Sequence, residues 1–189
     1  IEQNGGTGPI VTYDEMASDD VSTSINQGLA VRTNDPDKDE SPVVYPCNGI
    51  VAATFNLRLI EYYGRQWGED SLWAGRSGLY GMGGNIHRSA YSGRNFHYYS
   101  EDGVLTGKMA AAVAKGMATR GVYPYMKHCF LNDQESYRCG GFTWANEQTC
   151  REIYLRAFQI AIEKGGAQCV MGGLNSLGVT WTGTQGFMN

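Results

Sequence analysis

The stretch Met126–Arg138, which reads MKHCFLNDQESYR, governs how the rest of the chain is interpreted. It follows a short apolar and aromatic run, residues 122–126, whose length suits a buried β-strand. A strand that opens into charged and amide side chains is typical of an α/β barrel, where strand ends carry functional groups. Arginine and lysine donate hydrogen bonds to hydroxyl groups, carboxylates accept them and amides do both. The stretch therefore indicates either a site for a polyhydroxylated ligand or a polar surface loop with internal ion pairs.

The composition is that of a globular chain. Its 189 residues carry a formal net charge of -4, and 42% of them are hydrophobic, which is enough for one core. No apolar run approaches the roughly 20 residues that a membrane span needs. The mild acidity and the lack of a basic block argue against nucleic acid as the main partner. We therefore expect neither a membrane nor a nucleic-acid partner.

The cysteines and histidines do not form a metal-binding pattern. The five cysteines contain no CxxC pair and the three histidines lack finger-like spacing, so we expect no metal site. An odd number of cysteines fits free thiols in a reducing compartment, which favours the cytoplasm. Because the chain begins at Ile1 and not at methionine, the lack of a visible signal peptide carries no weight.

Helices and strands alternate after an irregular beginning. Residues 1–45 are predicted to be a loop and connector region, and residues 46–189 to form the barrel portion with its ligand-binding loops. The predicted helices cover residues 57–74, 104–120 and 146–164. The predicted strands cover residues 79–82, 122–126 and 168–171.

This alternation predicts parallel strands that are joined by crossover helices. No GxGxxG or Walker loop opens a helix, so a dinucleotide or P-loop fold lacks support. Polar groups follow each strand, which favours a barrel with one shared mouth. A closed (β/α)8 TIM barrel takes about 250 residues, and only three or four units are visible here. The fold class is therefore α/β, a partial (β/α)8 TIM-type barrel, and we expect a longer protein.

Two long motifs make this prediction more specific. Residues 83–102 read GGNIHRSAYSGRNFHYYSED, and residues 127–138 read KHCFLNDQESYR. In order and spacing they resemble the N-terminal barrel of glycoside hydrolase family 3, whose usual forms are NIxRxPxxGRNFEYxSEDP and KHFxxNxQExxR. The segment 147–175 is similar to the next helix and strand end of that family, so the likeness covers about residues 46–180. The form KHCFLND, in place of KHFPGHG, favours the β-glucosidase branch over the N-acetylglucosaminidase branch.

The resemblance implies a retaining, exo-acting β-glycosidase that releases a terminal non-reducing sugar without a cofactor. It assigns sugar binding to four side chains: Arg94, Lys127, His128 and Arg138. Three further side chains are expected to hold those cations in place: Asn95, Asp102 and Glu135. Cations and a histidine around a sugar ring select one pose and strengthen bonds to the 2-hydroxyl in the transition state.

The resemblance also implies that this chain contains no catalytic residue. Retaining enzymes use two carboxylates about 5 Å apart. In the family the nucleophile is an Asp in a later strand-end motif like GFxxSD, and the acid/base comes from a later domain. Both fall beyond Asn189, and neither Asp133 nor Glu135 is promoted to replace them. The remainder of the enzyme, or a second chain, is therefore the expected partner.

Three departures from the family pattern leave alternatives open. His97 stands where the family has Glu, and Cys129 stands where it has Phe, in a position that suits packing. The family's Asp-Gly-Pro is represented only by Thr7-Gly8-Pro9, so either Asp14 substitutes from a shifted loop or substrate choice differs. Two hypotheses compete with the enzyme. Thr7 and His97 favour a non-catalytic sugar-binding module. An unclosed parallel sheet exposes an edge, which favours a partner-dependent barrel fragment. Glucose, xylose and arabinose are all candidate sugars.

Overall fold

The computed structural model describes residues 45–73 and 77–185. Almost all of the predicted connector region, 1–45, lies outside these residues. The same holds for Thr7 and Asp14, so the question of what replaces the family's Asp-Gly-Pro carboxylate stays open.

The described chain contains five α-helices and six strands. The helices are α1 (Asn48–Ala52), α2 (Leu57–Trp73), α3 (Gly103–Ala118), α4 (Glu147–Thr149) and α5 (Leu155–Gly165). The strands are β1 (Gly78–Gly83), β2 (Tyr123–Cys129), β3 (Phe142–Thr143), β4 (Cys169–Gly172), β5 (Ser176–Leu177) and β6 (Thr180–Trp181). Short 3-10 turns cover Asn95–His97, Arg138–Gly140 and Thr182–Thr184. A π-helical turn, Cys150–Tyr154, joins α4 to α5, so residues 147–165 form one continuous helical stretch.

The main sheet consists of β1, β2 and β4 in that order, and both pairings are parallel. Helix α3 connects β1 to β2, and the helical stretch 147–165 connects β2 to β4. This arrangement confirms the predicted parallel strands with crossover helices. It places the carboxyl ends of all three strands at one edge of the sheet, where the polar segments of the sequence follow them.

The long helical stretches each begin after a capping residue. The side-chain oxygens of Asn56, Asp102 and Asn146 each accept a bond from the backbone N–H three residues further on, at 3.1, 2.5 and 2.8 Å. Each such bond satisfies one of the N–H groups that a helix leaves unpaired at its start. Helix α5 ends at Gly166, whose φ of 70° is the left-handed conformation that favours glycine.

Helix α3 packs closely against its two neighbouring helices, α2 and α5, because small residues lie at the contacts. A Cβ added at Gly64 of α2 would collide with the carbonyl oxygen of Val113, and one at Gly165 would collide with the backbone of Ala111. Because α3 is thin, it forms the floor of an outer groove of about 850 Å³ with α2 and α5 as walls. The basic residues that line this groove are Arg58, Arg65, Lys108, Lys115, Arg156 and Lys164. Only helices line it, so the groove is separate from the predicted sugar site.

The core lies between the sheet and its helices. Trp67, Leu79, Met82, Met109 and Met126 are fully buried there. All five cysteines lie within the described residues and none forms a disulfide, as predicted. Of the helices in the described part of the chain, none combines the length and apolar character needed to cross a bilayer.

The structure differs from the prediction by more than two residues in two places. Strand β2 continues to Cys129, three residues past its predicted end at 126, because residues 127–129 pair with β1 and β4. The segment after residue 172, predicted as loop, contains β5 and β6, which form a tight antiparallel hairpin. Gly178, with a φ of 58°, makes the turn between these two strands. The pairing of β5 with β3 is a long-range contact that local sequence does not reveal.

Candidate functional site

The polar loops after β1 and β2 meet at the carboxyl end of the sheet. The side-chain amide of Asn85, just after β1, donates to the backbone oxygen of Asn132 at 3.2 Å and accepts from its backbone N–H at 3.0 Å. Asn85 therefore fastens the first loop to the second. The third polar segment also reaches this edge, since the amide of Asn175 donates to the carbonyl oxygen of Leu131 at 2.7 Å. The predicted shared edge is thus formed by all three segments.

Glu135 lies between two arginines. Its carboxylate accepts two bonds from Arg94, at 2.6 Å from Nε and 2.8 Å from an Nη, and one from Arg138 at 2.7 Å. Burial alone would raise the pKa of Glu135, but the bonds and charges of Arg94, the Asn132 amide and the charge of Arg138 outweigh it and lower the pKa. Glu135 is therefore an ionised carboxylate that orients both guanidinium groups.

Lys127 and His128 lie on β2 itself and are almost completely buried, with exposed fractions of 1% and 3%. Burial lowers the pKa of Lys127 from 10.5 to about 7, and the charge of Arg138 acts in the same direction while Glu135 opposes it. Burial also lowers the pKa of His128 well below its usual range, and the charge of Lys127 adds to this effect. His128 is therefore neutral at neutral pH. The peptide bonds Lys127–His128 and Cys129–Phe130 are cis.

Tyr98 and Asn132 connect His128 to Glu135. The Tyr98 hydroxyl oxygen is 3.2 Å from Nδ1 of His128 and accepts a bond from the Asn132 amide at 2.8 Å. The same amide nitrogen donates to Glu135 at 2.7 Å. All four side chains are thus joined in one hydrogen-bonded chain.

Asp133 differs from Glu135, although it is only two residues away. It accepts bonds from the Tyr154 hydroxyl at 2.9 Å and from the Asn85 amide at 3.3 Å. Burial raises the pKa of Asp133, and these two bonds and the charge of Arg88 only partly offset it. Asp133 thereby attaches the loop after β2 to the π-helical turn that contains Tyr154.

The two departures at His97 and Cys129 occupy different settings. His97 is fully buried, its ring centroid is 6.4 Å from that of His128, and its carbonyl oxygen accepts a bond from Asn48 at 2.7 Å. A buried imidazole therefore stands beside His128 where the family pattern has a carboxylate. Cys129 is buried in the core, and burial raises its pKa to about 12, so its thiol packs as predicted.

Asn95 and Asp102 make contacts other than the predicted ones. The Asn95 amide donates to the backbone oxygen of Ser89 at 2.7 Å, and Asp102 caps helix α3. Both side chains are held by nearby backbone groups, and the described residues show no bond from either one to the predicted sugar-binding cations. We therefore do not carry Asn95 and Asp102 into the site.

The assembled residues form a cluster rich in hydrogen-bond donors, and the described residues contain no complete acid–base pair. Arg94 and Arg138 are oriented by Glu135, while Lys127 and His128 come from the adjacent strand. Within residues 45–73 and 77–185, no group of three or more His, Cys, Asp or Glu side chains is placed to hold a metal ion. The arrangement is suited to binding several hydroxyl groups at once.

Sequence reasoning missed the supporting roles of Tyr98, Asn85 and Asn132. Asn85 and Asn132 lie in the two polar motifs, 83–102 and 127–138, that follow predicted strands, and that position is the signal that could have found them. Tyr98 carries no such signal, because an aromatic residue in a loop is as readily explained by packing. The contact of the Tyr98 hydroxyl with His128 is visible only in the folded chain, where β1 and β2 lie side by side.

Comparison with known proteins identifies the family. Residues 38–183 match the model described as the glycosyl hydrolase family 3 N terminal domain, and the chain belongs to this family. It is 39% identical over 128 residues to beta-glucosidase A of Butyrivibrio fibrisolvens, which covers 67% of this chain and 15% of that protein. It is 41% identical over 141 residues to a beta-glucosidase of Ruminococcus albus, which covers 72% of this chain and 14% of that protein.

Solved structures agree with this assignment. Beta-glucosidase 3B of Thermotoga neapolitana, in complex with alpha-D-glucose, is similar with a TM-score of 0.76 and 38% identity, over 80% of this chain and 21% of that one. A Kluyveromyces marxianus beta-glucosidase in complex with glucose gives a TM-score of 0.72 and 30% identity, over 76% and 18%. The predicted fold class, a partial (β/α)8 TIM-type barrel, is confirmed. The chain spans a minor part of the length of these relatives.

Proposed function

We propose that this chain forms the sugar-binding wall of a retaining β-glycosidase of the β-glucosidase type, which hydrolyses terminal non-reducing β-linked sugars. The observation that carries the proposal is the convergence of Arg94, Lys127, His128 and Arg138 around Glu135 at the carboxyl ends of β1 and β2. These are the four side chains that the sequence assigns to the sugar.

The contacts of these side chains hold several donors in place. Such an arrangement suits a sugar better than it suits a charged ligand, which an isolated cation could hold. Glu135 fixes Arg94 through two parallel bonds, so the guanidinium keeps one orientation before the ligand arrives. Lys127 and His128 are held by a strand and have little freedom to lose on binding. Preorganised donors of this kind favour one ring pose and reduce the entropic cost of binding.

We assign no catalytic carboxylate to the described residues. Retaining hydrolysis needs a nucleophile and an acid/base about 5 Å apart. Glu135 is occupied by two arginines, and Asp133 is bonded to Tyr154 and Asn85. We propose that other parts of the enzyme supply both carboxylates, and that the reaction uses no metal or organic cofactor.

Glucose is the sugar that we propose first, because the similar structures from Thermotoga neapolitana and Kluyveromyces marxianus are glucose complexes. A sugar-binding module without turnover is less favoured, since the relatives that this chain resembles are beta-glucosidases. The cytoplasmic location and the need for a partner segment to complete the barrel stay predictions.

The test is hydrolysis of 4-nitrophenyl β-glycosides by the full polypeptide that contains this chain, with the glucoside, xyloside and galactoside compared. Lys127→Met should lower kcat/KM at least 100-fold, because a buried donor to the sugar is lost. Lys108→Met removes an exposed lysine from helix α3 and should leave kcat/KM unchanged. Two results together would contradict the proposal. The wild-type protein would show no turnover, and Lys127→Met and Lys108→Met would bind glucose with the same affinity.

A further inference from the structure

The hydrogen-bonded chain from Glu135 to His128 has a direction, and that direction places the proton of His128. The chain starts at the Glu135 carboxylate, which is ionised and can only accept. The Asn132 atom that lies 2.7 Å from it must therefore be the amide nitrogen and not the amide oxygen. This contact fixes the orientation of the Asn132 amide, with its nitrogen towards Glu135.

The second N–H of the same amide points to Tyr98. The Asn132 nitrogen is 2.8 Å from the Tyr98 hydroxyl oxygen, so that oxygen accepts a bond and retains one proton of its own to donate. The remaining partner of this hydroxyl among the described residues is Nδ1 of His128, at 3.2 Å. Burial raises the pKa of Tyr98, so the phenol keeps its proton at neutral pH.

We propose that Tyr98 and Asn132 are positioning residues that hold His128 as the neutral tautomer with its proton on Nε2, and that this N–H donates to a sugar hydroxyl. The inference rests on the proposed sugar-binding function. The opposite tautomer would direct Nδ1–H at the Tyr98 oxygen. The buried Tyr98 proton would then have no acceptor among the described residues, which is costly for a hydroxyl that is fully shielded from water.

The charges that face His128 support a neutral ring. Burial lowers its pKa most, and the charges of Lys127, Arg94, His97 and Arg138 act in the same direction. The Glu135 carboxylate, at the other end of the hydrogen-bonded chain, is shared by two arginines. A neutral imidazole has one N–H, so acceptance at Nδ1 leaves that proton on Nε2. Among the described residues, the hydrogen-bond partner of the His128 side chain is Tyr98, which faces Nδ1. Nε2 is therefore available to a ligand.

The direct test is the tautomer itself, measured by long-range ¹H–¹⁵N correlation on the full polypeptide with ¹⁵N-labelled histidine. The His128 signals are assigned by their loss in His128→Gln. His87 is an internal reference, because its Nε2 is 2.9 Å from the backbone oxygen of Tyr98 and must carry a proton there. We expect the Nε2 signal of His128, like that of His87, to be the signal of a protonated nitrogen, and the Nδ1 signal of His128 to be that of an unprotonated one. A proton on Nδ1, or on both nitrogens at neutral pH, would overturn the proposal.

A pair of variants separates this role from simple packing. Tyr98→Phe keeps the ring but removes the donor to Nδ1, so the two His128 nitrogen signals should move towards averaged tautomer values. We expect kcat/KM to fall about tenfold, chiefly through a higher KM, as expected for one lost hydrogen bond that serves ground-state binding. Unchanged His128 signals in Tyr98→Phe would refute the positioning role.

Tyr99→Phe is the matched control. Tyr99 is also buried, and its hydroxyl has no hydrogen-bond partner among the described residues, so this variant removes the same atom without affecting His128. Both the tautomer and kcat/KM should stay as in the wild type. Because the spectrum needs no substrate, the two proposals fail separately. An inactive protein with Nε2–H would refute the glycosidase, whereas an active protein with Nδ1–H would refute the positioning role.

Discussion

At the scale of single residues, the site shows how two carboxylates close in sequence take different roles. Glu135 faces Arg94 and Arg138 and has a lowered pKa, whereas Asp133 faces a tyrosine hydroxyl and an amide and has a raised pKa. The side chains that each one meets come from other elements of the fold. Their roles therefore depend on tertiary contacts and not on residue type.

Replacement of Glu135 should test its position between the arginines. Glu135→Gln leaves one oxygen for two guanidinium groups and turns an N–H₂ towards one of them, so we expect a loss of about 2 kcal/mol in the free energy of unfolding, since a partly buried ion pair is broken. Urea denaturation measures this loss. Glu147→Gln, in an exposed pair with Arg151, should change stability by no more than about 0.5 kcal/mol. Equal effects in the two variants would mean that Glu135 does not organise the site.

Lys127 should make stability depend on pH. Its pKa is about 7 in the folded protein and 10.5 ordinarily, so between these values the unfolded chain binds more protons than the folded one. Stability therefore rises with pH through this window, by at most about 1.4 kcal/mol per pH unit. Below pH 7 both states are protonated, and folding bears the full cost of burying the charge.

Denaturant unfolding of the wild type and Lys127→Met at pH 6.5 and pH 9.5 isolates this contribution, because other titrating groups cancel in the difference. The wild type should gain stability relative to Lys127→Met at the higher pH. A difference that stays constant between the two pH values would show that the folded protein holds Lys127 with an ordinary pKa.

At the scale of elements, close helix packing depends on glycine at contact points. Gly64 of α2 faces the backbone of Val113 in α3, and Gly116 of α3 faces the backbone of Glu61 and Arg65 in α2. This reciprocal contact leaves no space for a methyl group on either side. It also makes α3 the thin floor of the basic outer groove.

Gly64→Ala should therefore destabilise the protein, although alanine is the better helix former. The added methyl group collides with a carbonyl oxygen, and such overpacking costs about 1–3 kcal/mol, which exceeds the helix-propensity gain of about 1 kcal/mol. Thermal or urea unfolding measures the change. Gly140→Ala is the control, because nothing lies within 4 Å of the added atom. Increased stability in Gly64→Ala would show that α2 and α3 can move apart.

At the scale of the whole molecule, the described sheet has β2 at its centre. Both neighbours of β2 are paired with it, whereas β1 and β4 each have one pairing partner among the described residues. Val170 of β4 is 41% exposed, while Met126 of β2 is fully buried. Within the described residues alone, stability should therefore be unequal across the three strands.

Further strands that complete the barrel in the full polypeptide would pair with the outer sides of β1 and β4 and remove this inequality. We therefore expect amide hydrogen exchange on the full polypeptide to be about as slow over residues 169–172 as over residues 123–129, since amides paired on both sides of a strand open less easily than edge amides. Peptide-resolved mass spectrometry measures both segments in one experiment, and β1 serves as a second strand for comparison. Faster exchange in β4 than in β2 would contradict the completed barrel and would indicate that β4 stays an edge.

Most of the fold was predictable because its signals are local. Each of three helical stretches is capped by a side-chain oxygen, of Asn56, Asp102 or Asn146, that accepts a bond from the backbone N–H three residues further on. Capping of this kind depends only on the neighbouring backbone. The end of β2 was misplaced by three residues, because the charge of Lys127 reads as a loop signal. In the structure this lysine stays in the strand, held by pairing with β1.

The sequence alone determined the alternating helices and strands, the family and the four candidate sugar-binding side chains, because these follow from short-range periodicity and contiguous motifs. The tertiary structure alone decided which groups support them. It points to Tyr98, Asn85 and Asn132 in place of Asn95 and Asp102, since these residues come from loops that are distant in the chain and meet only after folding. Hydrogen bonds act over about 3 Å, and only the folded chain brings donor and acceptor that close.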